Sequence, residues 1–253
     1  MNALGNDLLP SAPPALRHSA RELRVVMEAV GSALFAAPKK RRRGASSRVV
    51  MVIPGFLASD ASTWVLRRYL TACGFDVHPW NLGRNRGPRG DTVARLGRRI
   101  RQLSRDTGQP VQLVGWSLGG LLARAVAART RSFVSRVIAL GSPLAGNPDD
   151  TRLGALFSAV SGRSLQERGM KELLRTSFSV PVVSVYSRSD GVVGWRSSAH
   201  PAGECEAIEV DSSHLGMGCN RDVLDLVVER IAMGERAMPA RTAAGPGLAT
   251  AAC

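Results

Sequence analysis

The stretch VQLVGWSLGG, residues 111 to 120, places a serine between two glycines at a spacing suited to nucleophilic chemistry. Its apolar start predicts a short buried strand, and the alanines and leucines after Ser117 predict a helix. Ser117 therefore lies on a tight turn, where Gly115 and Gly119 leave room for the backbone. This is the G-x-S-x-G nucleophile elbow, which lifts a serine hydroxyl clear of the sheet. The alternative is a chance match in a chain with 26 glycines, and the predicted strand and helix on either side favour the functional interpretation.

A serine hydroxyl needs a general base, and the chain contains four histidines. His18 precedes the first predicted strand, His78 lies inside a strand where a structural role is expected, and His200 precedes a proline in a loop. His214 follows the strand-like ECEAIEV and precedes the helix-like NRDVLDLVVERI. Because the base must come from a loop at the carboxyl edge of the sheet, we predict that His214 accepts the proton of Ser117.

An acid is expected after the strand between serine and histidine. Residues 181 to 186, PVVSVY, are followed by SRSDGVVG, so Asp190 is the predicted orienting acid. The alternative is that Asp190 only shapes a turn, since Ser-Asp-Gly is good turn chemistry. Asp211 is the competing acid, three residues before His214, and we expect it to organise the turn at the serines that follow it.

Two backbone N–H groups are predicted to form an oxyanion hole. One belongs to Leu118, directly after the nucleophile at the start of the helix. The second is expected in the loop after the strand RVVMVI, where Pro54 has no N–H and Gly55 lets the chain turn, so Phe56 is the candidate. The alternative for this loop is an ordinary tight turn after a strand.

These segments resemble the α/β-hydrolases of the lipase and carboxylesterase type. The resemblance covers about residues 48 to 234 and is carried by IPGF, GWSLGG, ALGSPLAG, SDGVV and SHLGMG. Pro54 is a departure, since many relatives carry histidine there. The resemblance implies ester hydrolysis through an acyl-enzyme, with no metal and no organic cofactor.

The order of predicted elements agrees with that fold. Strands alternate with helices, which predicts a mostly parallel sheet of about six strands with helices on both faces, in one domain spanning 48–234. Asp91 is a predicted N-cap. Residues 147 to 180 are expected to form a small lid containing Leu153, Leu156 and Phe157; the alternative is a surface connection with no role in substrate choice.

The two ends of the chain differ from this domain. Residues 1 to 47 combine a proline-rich start, an amphipathic segment and the basic run KKRRR, and residues 235 to 253 are expected to be disordered. The N-terminal segment has the form of neither a secretory signal nor a membrane span. We therefore expect a cytoplasmic protein whose N-terminal helix packs on the domain or lies on an anionic membrane surface.

The net charge of +14 invites a nucleic-acid interpretation, which the composition disfavours. Three of the 34 basic residues are lysine (Lys39, Lys40 and Lys171), so 31 are arginine, and they are spread over the predicted helices. Aromatic residues make up 5% of the chain, too few for a base-stacking platform, and no nucleic-acid partner is expected. Cys205 and Cys219 bracket the histidine loop and are expected to be reduced.

The sequence thus predicts a serine hydrolase that cleaves a small-molecule ester or a lipid. A thioesterase, an acyl transferase or a lactonase would use the same residues, so these remain alternatives. The alternative from another class is a non-catalytic relative that binds a lipid or a protein partner, although such a protein has no need of all three catalytic residue types. Families that attack with a carboxylate are disfavoured, because this chain has Ser117 at the elbow.

Overall fold

One parallel sheet forms the centre of the computed structural model, which describes residues 48–88, 91–144, 173, 175–177, 179–199 and 205–233. Its six strands within these ranges are Val49–Ile53 (β1), Asp76–Pro79 (β2), Val111–Trp116 (β3), Val134–Leu140 (β4), Val182–Tyr186 (β5) and Glu206–Glu209 (β6). Their order is β2-β1-β3-β4-β5-β6, and every neighbouring pair is parallel. The predicted parallel sheet of about six strands is confirmed.

Both faces of the central strands are buried, which explains their continuous apolar sequences. In β1, Val49, Met51 and Ile53 enter one core cluster, while Val50 and Val52 enter the other. This alternation follows from the two-residue period of a strand. The edge strand β6 is different, because three of its four residues are exposed.

Helices cover both faces, as predicted. They are Trp64–Ala72 (α1), Thr92–Thr107 (α2), Leu118–Arg129 (α3), Trp195–Ser198 (α4) and Arg221–Ala232 (α5). Apolar residues of α2 and α3 pack in the first core cluster, and those of α1 and α5 pack in the second. Short 3-10 turns lie at Asp60–Thr63, Arg131–Phe133 and Gly216–Gly218.

The caps of two helices show how local sequence defines helix ends. Asp91 stands at the predicted N-cap of α2, but its side chain accepts no hydrogen bond from the first turn; its Oδ2 lies 3.2 Å from Arg98 Nη2 instead. The Asn220 side chain does cap α5, because it accepts from the N–H groups of Asp222 and Val223. Asp91 is therefore the N-cap residue, as predicted, although its side chain makes no capping hydrogen bond.

Several predictions concern residues outside the described ranges. These are the N-terminal segment 1–47, the tail 235–253, His18, His200, and all of the expected lid except 173, 175–177 and 179–180. Among the described residues, no helix combines the length and apolar character that crossing a bilayer requires. Those residues also contain no cluster of three or more His, Cys, Asp or Glu side chains suited to a metal ion. Cys73, Cys205 and Cys219 are buried thiols.

Candidate active site

Ser117 occupies a strained turn between the last residue of β3 and the first residue of α3. Its backbone has φ 55° and ψ −122°, a conformation that residues with a side chain rarely adopt. Its N–H donates to the carbonyl of Leu140 at 2.8 Å, and its own carbonyl accepts from the N–H of Gly120 at 3.0 Å. These bonds to β4 and α3 hold the serine in the unfavourable conformation.

The glycines of the elbow are required by close backbone approach. A Cβ atom on Gly115 would overlap the carbonyl oxygen of Gly119, and one on Gly119 would overlap the carbonyl oxygen of Ile53. The start of α3 therefore lies directly against the end of β1. Gly120 is equally constrained, because a Cβ atom there would overlap the hydroxyl of the buried Ser142.

Asp190 and His214 form a buried, hydrogen-bonded pair. Asp190 Oδ2 lies 2.7 Å from His214 Nδ1, and the two residues are 3% and 4% exposed. The other carboxylate oxygen, Oδ1, accepts from the N–H groups of Val192 at 2.8 Å and Val193 at 2.7 Å. With Oδ1 held by the backbone, Oδ2 is directed at the imidazole. An ionised Asp190 then favours the tautomer that carries its proton on Nδ1.

Two residues connect this pair to the elbow. Trp116, which precedes Ser117, donates through Nε1 to the carbonyl of His214 at 3.1 Å, and the two rings lie 6.4 Å apart. A Cβ atom on Gly141 would lie 3.1 Å from Asp190 Oδ2 and 3.2 Å from His214 Nδ1. Because Gly141 follows the residue that binds the N–H of Ser117, the serine and the pair both lie at the carboxyl end of β4. Sequence reasoning missed the contributions of Trp116 and Gly141.

Asp211 lies on the exposed side of the histidine loop. Its Oδ1 accepts from the hydroxyl of Ser189 at 3.3 Å, and its carbonyl accepts from the side-chain amide of Asn220 at 3.3 Å. The prediction that its carboxylate organises the following serines is wrong, because it reaches across to the loop after β5. The carboxylate that meets the imidazole is that of Asp190.

Of the two predicted oxyanion donors, Leu118 directly follows Ser117, and Phe56 directly follows a glycine that packs against Ser117. Leu118 is the first residue of α3, where backbone N–H groups have no acceptor within the helix. Gly55 packs against the serine, since a Cβ atom on it would lie 3.4 Å from Ser117 Cβ. Phe56 comes next and is half-buried in a turn closed by the N–H of Ala58 and the carbonyl of Gly55 at 3.2 Å.

Asn85 holds that loop and was not identified from the sequence. It is fully buried, its Nδ2 donates to the carbonyl of Pro54 at 2.7 Å, and its N–H donates to the carbonyl of Ala58 at 2.8 Å. Its carbonyl accepts from the N–H of Leu57, which has φ 56°. The available signal was a small amide residue in the loop NLGRNRGPRG, a type that readily bonds backbone. Its burial depends on the tertiary fold.

The remaining described histidine lies apart from this site. His78 is half-buried on the edge strand β2, with Nε2 2.9 Å from Asp76 Oδ1. Both side chains belong to the same strand, two residues apart, and therefore share one face of the sheet. This agrees with the structural role expected for His78.

Comparisons with known proteins identify the family and the fold of the chain. Residues 49–247 match a model of the "Alpha/beta hydrolase family". Among solved structures, the chain is similar to a carboxylesterase from Bacillus subtilis at 14% identity and a TM-score of 0.54, covering 84% of this chain and 98% of that one. It is similar to a lipase from Bacillus licheniformis at 14% identity and a TM-score of 0.56, with coverage of 77% and 96%.

A third similar structure is a thioesterase domain from the curacin biosynthetic pathway, at 15% identity and a TM-score of 0.51, with coverage of 76% and 93%. At 14–15% identity, these similarities show a shared fold and do not assign an activity to this chain. A search of curated protein sequences found no significant match.

Proposed function

The chain belongs to the α/β-hydrolase family, and from this premise we propose that it is a serine hydrolase that cleaves carboxylic esters. The observation that carries the proposal is the buried pair of Asp190 and His214, 2.7 Å apart, at the same sheet edge as the strained Ser117. Burying a carboxylate and an imidazole costs free energy unless they are paired, and a purely structural turn has no need of them.

In the proposed reaction, His214 acts first as base and then as acid. His214 donates its Nδ1–H to Asp190, and its Nε2 accepts the hydroxyl proton of Ser117. The Ser117 oxygen attacks the ester carbonyl at the same time. The carbonyl π electrons move to oxygen, and the N–H groups of Leu118 and Phe56 stabilise the resulting oxyanion. The imidazolium then protonates the departing alcohol, which leaves an acyl-enzyme. A water molecule then attacks the acyl carbonyl and gives its proton to His214 Nε2. The imidazolium returns that proton to the Ser117 oxygen as the carboxylic acid leaves.

Asp190 supports this cycle electrostatically. Its negative charge stabilises the imidazolium that forms after each proton transfer, and its bonds to the N–H groups of Val192 and Val193 keep it in place. The same groups can act on a thioester, on a lactone, or with an acceptor other than water. The test below therefore includes a thioester.

The test is replacement of Ser117 by alanine, with Ser132→Ala, an exposed serine of the turn Arg131–Phe133, as the matched control. We expect Ser117→Ala to abolish hydrolysis of nitrophenyl esters of graded chain length and of a short acyl thioester, while Ser132→Ala retains it. A fluorophosphonate should label Ser117 in the wild-type protein and nothing in Ser117→Ala. Undiminished turnover in a folded Ser117→Ala protein would refute the proposal, and turnover of the thioester alone would favour the thioesterase alternative.

A further inference from the structure

A cleft of about 440 Å³ lies at the carboxyl edge of the sheet, next to the edge strand β2. It is lined by residues that follow β2 and by the first turns of α2: Trp80, Leu82, Arg84, Arg86, Thr92 and Arg95. Three of these six side chains are cationic and none is acidic. In parallel α/β sheets, ligands bind outside the carboxyl ends of the strands, so this cleft lies where a substrate is expected.

The three arginines of the cleft differ from most others in the structure. Many described arginines donate to carbonyl oxygens, pair with carboxylates or lie over aromatic rings: Arg48, Arg67, Arg68, Arg98, Arg99, Arg105, Arg188, Arg196 and Arg230. Within the described part of the chain, the side chains of Arg84, Arg86 and Arg95 have no such partner. Like charges gathered without counter-charge repel one another, and a bound anion relieves that repulsion.

The cleft is joined to the proposed oxyanion loop by one buried residue. Asn85 stands between Arg84 and Arg86, and its Nδ2 donates to the carbonyl of Pro54 at 2.7 Å. The next residue, Gly55, packs against Ser117. Two of the arginines therefore flank, in the sequence, the residue that holds the loop whose Gly55 packs against Ser117.

We propose that this cleft binds a phosphate group of the substrate, so that the natural substrate is a phosphate-bearing ester or thioester. Guanidinium groups donate paired N–H bonds to phosphate oxygens, and three of them match the charge of a phosphate better than that of a single carboxylate. The cleft recognises the phosphate, and the acyl group lies at Ser117. This inference rests on the proposed hydrolase function, and it adds the substrate class.

Binding tests the cleft without catalysis. Coenzyme A, a soluble phosphate-bearing thiol, is titrated calorimetrically into Ser117→Ala protein and into the same protein carrying Arg84→Gln, Arg86→Gln and Arg95→Gln. Because hydrogen bonds to charged groups are strong, we expect the triple replacement to weaken binding about tenfold or more. The matched control is Arg131→Gln, an exposed arginine on the turn before β4, which should bind as Ser117→Ala does. Equal binding by the triple variant overturns the inference.

Turnover then distinguishes the sources of the phosphate. We compare kcat/KM for butyryl-coenzyme A with that for the phosphate-free thioester butyryl-N-acetylcysteamine, and for a short-chain phosphatidylglycerol with that for tributyrin in the same micelles. For turnover the three arginine replacements and the control Arg131→Gln are made with Ser117 intact. The ratio in favour of the phosphate-bearing member should fall in this triple variant and stay constant in Arg131→Gln. A fall in the first ratio indicates a soluble substrate, and a fall in the second indicates a lipid. Constant ratios contradict the inference.

A wild-type protein that binds coenzyme A through the arginines but hydrolyses none of these substrates would refute the hydrolase function and leave the anion site standing. If the triple variant fails to fold, inorganic phosphate is tested against chloride at equal ionic strength on Ser117→Ala protein. If phosphate displaces coenzyme A and chloride does not, the phosphate site is supported. If the two anions displace coenzyme A equally, the inference is overturned.

Discussion

The two oxygens of the Asp190 carboxylate have separate donors, and this division determines how the residue acts on His214. Oδ1 is held by the N–H groups of Val192 and Val193, so an asparagine at this position would place its oxygen there and its NH₂ group toward the imidazole. That amide would donate to Nδ1 and move the histidine proton to Nε2, the nitrogen that must accept the serine proton.

We therefore expect Asp190→Asn to lower turnover by about ten-thousand-fold, as loss of the orienting acid does in such triads. Asp211→Asn is the matched control, because Asp211 is exposed and its contact with the Ser189 hydroxyl is weak at 3.3 Å. Its turnover should stay close to that of the wild-type protein. Both variants are assayed at one pH, with circular dichroism to check folding. Greater damage from Asp211→Asn would show that the third member of the proposed triad is misassigned.

Asn85 acts through the loop it holds, which makes it a positioning residue. Asn85→Ala removes the donor to the carbonyl of Pro54, and a buried carbonyl without its donor costs about 1–3 kcal/mol of stability. Because this loop carries Phe56, we expect kcat for a short neutral ester to fall with little change in KM. A purely structural role would lower stability alone.

Steady-state kinetics and urea unfolding of the same preparations separate the two effects. Asn85→Asp is informative as a second variant, since it keeps the size and loses the donor, and it should also lose kcat. Gln102→Ala, on the exposed side of α2, serves as control. An unchanged kcat in folded Asn85→Ala protein would remove Asn85 from the site.

At the scale of elements, the position of α3 depends on a glycine in its first turn and on a glycine near the end of β3. Gly119 lets the helix rest on the end of β1, and Gly115 lets the turn fold back over β3. The helix start therefore brings the N–H of Leu118 next to the loop that follows β1. A larger residue at either glycine would separate the two predicted oxyanion donors.

We expect Gly119→Ala to destabilise the protein by about 1–3 kcal/mol, the usual cost of overpacking, and to lower activity as well. Gly83→Ala is the control, because Gly83 has a φ of 76° and no atom within 4 Å of an added Cβ. It carries only the cost of left-handed backbone, about 1 kcal/mol. Urea unfolding measures the loss of stability in both variants, provided that the dependence of the unfolding free energy on urea concentration is unchanged. Equal losses of unfolding free energy in the two variants would mean that the close approach of the Ile53 carbonyl is not the reason for glycine at position 119.

At the scale of the whole molecule, α1 and α5 are joined on one face of the sheet by a partly buried polar cluster of Tyr69, Arg221 and Asp225. The Tyr69 hydroxyl donates to Asp225 Oδ1, and Arg221 Nε lies 3.1 Å from Asp225 Oδ2 while its guanidinium lies over the Tyr69 ring. Burial is the main cause that raises the pKa of Tyr69 well above its usual value, and the hydrogen bond to Asp225 is the next largest cause. Burial also raises the pKa of Cys73, at the end of α1, to about 11.

This cluster predicts loss of stability at alkaline pH. As the pH rises, the unfolded chain releases its Tyr69 proton at a pH of about 10, while the folded protein still keeps it. The contribution of Tyr69 to the free energy of unfolding is therefore complete below this pH and falls above it. The chain has two tyrosines, so Tyr186→Phe leaves Tyr69 as the single reporter. We expect its phenolate absorbance to appear only when the protein unfolds in alkali.

The reciprocal variant is the control. In Tyr69→Phe, the half-buried Tyr186 should titrate reversibly in the folded protein, and the unfolding free energy should depend less on pH in the alkaline range. Reversible titration of folded Tyr186→Phe protein near the ordinary tyrosine value would contradict the burial of the Tyr69 hydroxyl.

The sequence by itself determined the fold class and the order of the strands along the chain, because alternating apolar strands and helices leave few arrangements other than a parallel sheet covered on both faces. It also predicted the turn at Ser117, since the glycines that permit it lie within two residues of the serine. These are local patterns, written in neighbouring residues.

The tertiary structure alone decided which distant side chains meet. Asp190 and Asp211 are both suitable acids in the sequence, and only the packing of β5 beside β6 brings Asp190 to His214, 24 residues away. Asn85 and the arginines beside it looked like part of a connecting loop, until the pairing of β2 with β1 placed that loop against Pro54. Burial and side-chain pairing depend on contacts between segments far apart in the chain, and a local pattern cannot encode them.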